Sequence, residues 1–155
     1  MNKIKSEKVF DFPDPVIAVE KNNSISLFSG RYSPNKKYFI AWNESYCCAI
    51  NLETCNYYLF KDGIYINNAW IANNGNYLIE DWLQNKSLSG QIIFGKLNDH
   101  LLMKRNFTAN IFDTELTSDG EWFSVQLCHS NSEDSNKRYS FNIKTLKWNS
   151  IRKKI

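Results

Sequence analysis

The chain has no apolar run approaching the 18 residues that a membrane-crossing helix needs. Its start, Met1-Asn2-Lys3-Ile4-Lys5-Ser6-Glu7-Lys8, is charged, with no apolar h-region after it. Neither membrane insertion nor export is therefore expected, and the cytoplasm is the expected compartment. Cysteines are few. Cys47, Cys48, Cys55 and Cys128 read there as reduced, buried small hydrophobes rather than as staples. Charge of one sign is scarce too: the net charge is +3, and the tail Arg152-Lys153-Lys154 accounts for as much by itself. A basic face for direct nucleic-acid binding is not expected.

Complete catalytic motifs are also missing. Gly90-Gln91-Ile92-Ile93-Phe94-Gly95-Lys96-Leu97 comes close to a phosphate-binding loop, but Leu97 stands where a Ser or Thr is needed, and the interior is apolar. It reads as a strand with flanking glycines. Cys128 and His129 are neighbours, and neighbours on a strand point to opposite faces, so they make a poor nucleophile–base pair; the base would have to be His100. Adjacent Cys47 and Cys48, with Cys55 and His129, lack the knuckle spacing of a zinc site. Glu80 and Asp81 likewise point apart, which argues against a glycosidase pair. No enzyme activity, metal or cofactor is expected.

What the sequence does have is strand-forming material in repeats. Apolar residues make up 43% and aromatics 15% of 155 residues, and no long window shows helical spacing. One phrase recurs three times without gaps: Arg31-Tyr32-Ser33-Pro34-Asn35-Lys36-Lys37-Tyr38, Trp70-Ile71-Ala72-Asn73-Asn74-Gly75-Asn76-Tyr77 and Glu115-Leu116-Thr117-Ser118-Asp119-Gly120-Glu121-Trp122. The starts lie 39 and then 45 residues apart, a period typical of propeller blades. A single domain, 1–155, is expected, with N-terminal edge strands in 9–23, units at 24–63, 64–105 and 106–151, and a basic tail at 152–155.

Within the units the expected strands are 24–32, 37–42, 46–52 and 56–61; then 64–71, 77–83, 91–97 and 100–104; then 107–116, 121–128, 138–143 and 146–151. Ahead of them lie 9–12 and 16–20, separated by Pro13 and Pro15 and expected to cap the first open edge. The expected fold class is all-β: three four-stranded antiparallel blade-like meanders in an open, partial β-propeller, with extra N-terminal strands. The connection between second and third strands grows from Asn43-Glu44-Ser45 to 84–90 to 130–137. Such variation on one face marks that face as the working surface.

The turns resemble those of WD-type and related β-propeller repeats, best at Ser33-Pro34-Asn35 and Ser118-Asp119-Gly120, over about residues 24–151. No unit carries the Trp-Asp pair or the Gly-His start of that family, so the resemblance implies architecture and leaves activity open. Six residues are the expected partner contacts on the variable face: Glu80, Asp81 and Trp82 at the end of a strand, Asp62 between the first two units, and Glu133 and Asp134 in the longest connection. Acids beside an exposed aromatic suit a basic partner.

By type, a small chain rich in Asn (20 residues), Lys and Ile resembles a bacterial immunity protein of contact-dependent growth inhibition. That resemblance implies a non-enzymatic module that binds and neutralises a toxin domain, a nuclease being one candidate. The alternative is a homodimer, or scaffold, joined through an exposed strand edge.

Overall fold

The computed structural model describes residues 2–3, 16–20, 23–27, 29–83, 89–98 and 101–152. In chain order the strands are β1 (Asn2–Lys3), β2 (Val16–Glu20), β3 (Asn23–Leu27), β4 (Ser29–Tyr32), β5 (Tyr38–Trp42), β6 (Cys47–Asn51), β7 (Asn56–Phe60), β8 (Ile66–Ile71), β9 (Asn76–Asp81), β10 (Gly90–Lys96), β11 (Leu101–Phe107), β12 (Ile111–Leu116), β13 (Trp122–Leu127), β14 (Lys137–Asn142) and β15 (Lys147–Arg152). Three antiparallel meanders, β4–β7, β8–β11 and β12–β15, form three blades. None closes into a barrel, and the arrangement is an open, partial propeller. Strands β4 and β12 both pack against β8, so the first strands of the blades converge.

The gapless repeat is reproduced in the backbone. Lys36, Gly75 and Gly120 occupy the same turn position, and all three have positive φ (58°, 84° and 71°). The preceding Asn35, Asn74 or Asp119 side chain accepts a hydrogen bond from the backbone N–H two residues on. A short polar side chain closing its own turn is what makes Asn and Asp good turn formers. At the next turn, Asn51 and Asn142 accept the N–H groups two and three residues ahead, and Cys55 and Leu146 take positive φ.

Hydrophobic alternation shows which sheets are sandwiched. In blade 3 the core face carries Phe123, Val125, Tyr139 and Phe141, while Ser124, Arg138, Ser140 and Asn149 point the other way. Such a sheet has one wet face. In blade 1, β5 and β6 read as continuous apolar runs, Phe39-Ile40-Ala41-Trp42 and Cys47-Cys48-Ala49-Ile50, all buried. One face packs on blade 2 through Ile40, Trp42, Ala69 and Ile79. The other packs around Leu27, the last residue of β3, with Phe39, Cys48, Ile50 and Tyr57.

The N-terminal expectations need correction here. The strand expected at 24–32 is two strands, because β3 leaves the blade to pair with β2 in a hairpin. Residues 16–20 therefore do not cap a strand edge of blade 1. The hairpin's Leu27 covers a blade face, and the strand added to the sheet is β1, on β7. The expected strand at 9–12, His100, most of the 84–90 connection, and Lys153 and Lys154 lie outside the described residues. Cys47 and Cys48 are buried as expected, but Cys55 is exposed and Cys128 half-buried; all four are free thiols. The near-phosphate-loop segment is strand β10.

Candidate functional site: the loop face between the blades

The two ends of the blades differ in how they are built. At one end the turns are laced together across blades. The Asn35 N–H donates to Asn73 Oδ1 (2.8 Å), the Asn73 N–H to the Ser118 carbonyl (2.8 Å), and Asn76 Nδ2 to the Gly120 carbonyl (2.9 Å). A Cβ on Gly120 would lie 2.3 Å from the Asn74 side chain, so the glycine is needed for close approach as well as for its φ. The other end gathers the variable connections. There the Gly63 N–H donates to the Ser45 carbonyl, the Ile66 N–H to Glu44, the Trp82 N–H to Tyr65 and the Cys128 N–H to Asn110.

Buried acids hold these connections. Asp81 is fully buried; its Oδ1 accepts the Tyr65 and Leu83 N–H groups and its Oδ2 accepts the Ile64 N–H, all at 2.9 Å. It thereby pins the link between blades 1 and 2. Asp134 does the same between blades 2 and 3: Oδ2 accepts the Thr108 N–H (2.7 Å) and hydroxyl (3.1 Å), and Oδ1 accepts the Tyr139 hydroxyl (2.6 Å). Burial pushes the Asp134 carboxyl up, but the hydrogen bonds from Tyr139 and Thr108, with the Lys137 charge, outweigh it and hold it below the usual carboxylate range. Burial, with the hydrogen bond and charge of Asp134, pushes the Tyr139 phenol up to about 12.

Glu80 is 2% exposed and joins blades 2 and 3. Its Oε1 accepts Trp82 Nε1 (2.6 Å) and Asn67 Nδ2 (3.1 Å), and its Oε2 accepts the Thr114 hydroxyl (2.7 Å), which in turn accepts Trp70 Nε1 (3.0 Å). The matching residues in the other blades are apolar, Ala41 and Val125. Burial, and then the Glu80 charge, raises the nearby Cys128 thiol, which makes a poor nucleophile. His129 instead hydrogen-bonds Asn136 (3.0 Å) within its own loop.

The six expected contact residues thus divide by depth. Glu80, Asp81 and Asp134 serve the interior, because their carboxylates are consumed by internal donors and have no surface to offer. Trp82, Asp62 and Glu133 are exposed on the loop end. Trp82 stacks on Tyr65 (centroids 5.9 Å, 28° between planes), and its indole N–H is fixed by Glu80. Ile64 (60% exposed) and Phe112 (73%) open at the same end.

Next to Trp82 a cleft of about 490 Å³ separates blades 1 and 2. Trp42, Tyr46 and Tyr65 supply its rings, Asn43, Glu44 and Ser45 one rim, and Ser29 and Asn67 the side toward the converging strands. Asn43 Oδ1 accepts the Ser45 and Tyr46 N–H groups and fixes that rim. Sequence reasoning marked 43–45 as a variable connection but missed the cleft, which needs residues 38 positions apart in sequence. Among the described residues no group of three or more His, Cys, Asp or Glu is placed to hold a metal ion.

The backbone is similar to that of many solved structures. A tricorn protease superposes with a TM-score of 0.55 at 10% identity, over 89% of this chain and 16% of that one. An oligogalacturonate lyase in complex with manganese gives 0.52 at 12% identity, over 88% and 41%. Both are propeller-type folds. The chain spans less than half the length of either, and at this identity the likeness concerns the fold alone. No protein-family model and no curated protein matches the sequence.

Proposed function

We propose that the chain is a binding module that docks a protein partner on its loop end, and that the partner is a toxin domain which it neutralises as an immunity protein. The observation that carries this reading is the Trp82 anchor. It is a half-exposed indole pre-positioned by stacking on Tyr65 and by a hydrogen bond to a buried carboxylate, beside an open cleft. Rigid aromatics at the centre of a contact patch supply most of the binding energy in many interfaces. The laced turn end gives the opposite contrast, a surface spent on holding blades together.

The acids Glu44, Asp62 and Glu133 are exposed on the same end of the blades as the anchor and favour a basic partner surface, such as the substrate cleft of a nuclease. An interface of roughly 1,600 Å² in total is the size such a complex needs. The test is a native mass spectrum of the purified protein, alone and mixed with the product of the adjacent gene. A monomer that converts to a one-to-one complex supports the reading. A stable dimer indifferent to the neighbour refutes it in favour of self-assembly through strand edges.

A further inference from the structure

The cleft between blades 1 and 2 combines two features that point to one kind of guest. Its walls carry three aromatic rings, Trp42, Tyr46 and Tyr65. Its rim carries Glu44, whose side chain is exposed and takes no hydrogen bond or ion pair among the described residues, although its backbone carbonyl is held by the Ile66 N–H. We propose that this cleft receives an arginine or lysine side chain of the protein partner, with the Tyr46 and Tyr65 rings against the cation and the Glu44 carboxylate as its counter-charge. The inference rests on the reading of the loop end as the partner-binding surface.

Ring faces attract cations electrostatically, and a guanidinium gains further from a carboxylate that it can approach. Asn67 donates its Nδ2 to Glu80, which leaves its Oδ1 as a second acceptor in the cleft wall. The volume of about 490 Å³ admits a long side chain with water around its head. An apolar or anionic guest fits poorly, because it would desolvate Glu44 with nothing to pair it. Arg31 lies 3.8 Å over the Trp70 ring, sits 5.7 Å from the Trp42 ring centroid and donates to Asn68 Oδ1 (2.9 Å); it does not line the cleft and leaves the Tyr46 and Tyr65 rings to the guest. Glu44 is thus left for an external donor.

The test is an NMR titration of the full chain with Nα-acetyl-arginine-N-methylamide, read at the Trp42 indole and the amides of 43–46 and 65–67. The matching norleucine amide serves as neutral control and spermidine as a free polyamine. Saturable shifts in the millimolar range with the arginine amide, absent with norleucine, support the proposal. So does Glu44→Gln binding weakened by about fivefold or more, the loss of one charge-assisted contact. Unsaturated shifts, equal response to norleucine, unchanged affinity in Glu44→Gln, or tighter binding of spermidine than of the amide would each overturn it. If the amide fails while the one-to-one complex with the neighbouring gene product forms, only the cleft assignment falls. If the amide binds and no complex forms, the fault lies in the partner reading.

Discussion

Removing the Asp134 carboxylate is the sharpest perturbation of the scaffold that presents the loop end. In Asp134→Ala the Thr108 N–H, the Thr108 hydroxyl and the Tyr139 hydroxyl lose their acceptor, and Tyr139 is 7% exposed, so water does not readily replace it. The buried Tyr139 hydroxyl is orphaned at about 1–3 kcal/mol, whereas the exposed Thr108 donors turn to water, so the loss is about 2–3 kcal/mol. For a chain this size that lowers Tm by about 5–10 °C. Tyr139→Phe removes one donor and leaves the carboxylate its Thr108 contacts, at about 1–2 kcal/mol. Urea unfolding followed by tryptophan fluorescence measures both.

The pH dependence supplies an independent arm. Because the folded carboxyl lies below its ordinary value, its contribution is complete above the unfolded carboxylate pKa and is lost as pH falls through the folded one. The gap between wild type and Asp134→Ala should therefore narrow in acid. A loss under about 1 kcal/mol at neutral pH, or a gap constant down to strongly acid pH, would refute the clasp.

Four further outcomes follow from the same contacts. Tyr139 should ionise at about 12 in an ultraviolet phenolate titration, and Asp134→Ala should bring it down; its raised value means stability is full below the ordinary phenol pKa and lost as pH rises toward the folded one. Lys36→Gly should stabilise by about 0.5–1 kcal/mol in urea melts, since Lys36 is exposed and pays for a φ of 58° that Gly75 and Gly120 adopt freely. Glu80→Ala should destabilise by about 2–4 kcal/mol, stripping the acceptor from Trp82, Asn67 and Thr114, with Glu80→Gln costing about half as much by denaturation. Trp82→Ala should weaken partner binding more than tenfold in a titration while leaving blade packing intact by circular dichroism.

The blades were legible because their signals are local. Asn35, Asn74 and Asp119 announce turns from a few residues, and strand alternation in 122–127 announces a single wet face. The boundaries of β5–β15 accordingly fall within a few residues of expectation. The site was less legible, for a physical reason. Whether an acid faces water or donors depends on partners far along the chain: Glu80 meets Thr114, and Asp134 meets Thr108. Nothing adjacent to Glu80-Asp81-Trp82 shows that two of the three are buried and only the indole is presented. The cleft was invisible for the same reason, since Trp42 and Tyr65 meet only when β5 packs on β8. The N-terminal misreading came from continuity of composition. Residues 24–32 look like one strand, and nothing local shows that Leu27 belongs to the far face of blade 1.

The most direct test of the loop end as the binding surface compares two tryptophans of equal exposure. Trp82 and Trp122 are each 39% exposed, Trp82 on the loop end beside the cleft and Trp122 at the turn end of its own strand. The dissociation constant of the complex with the neighbouring gene product should be measured for Trp82→Ala and Trp122→Ala side by side. The account predicts a loss of about tenfold or more for Trp82→Ala, at least 1.4 kcal/mol, and less than about twofold for Trp122→Ala. Equal losses, or a larger loss at Trp122, would contradict it.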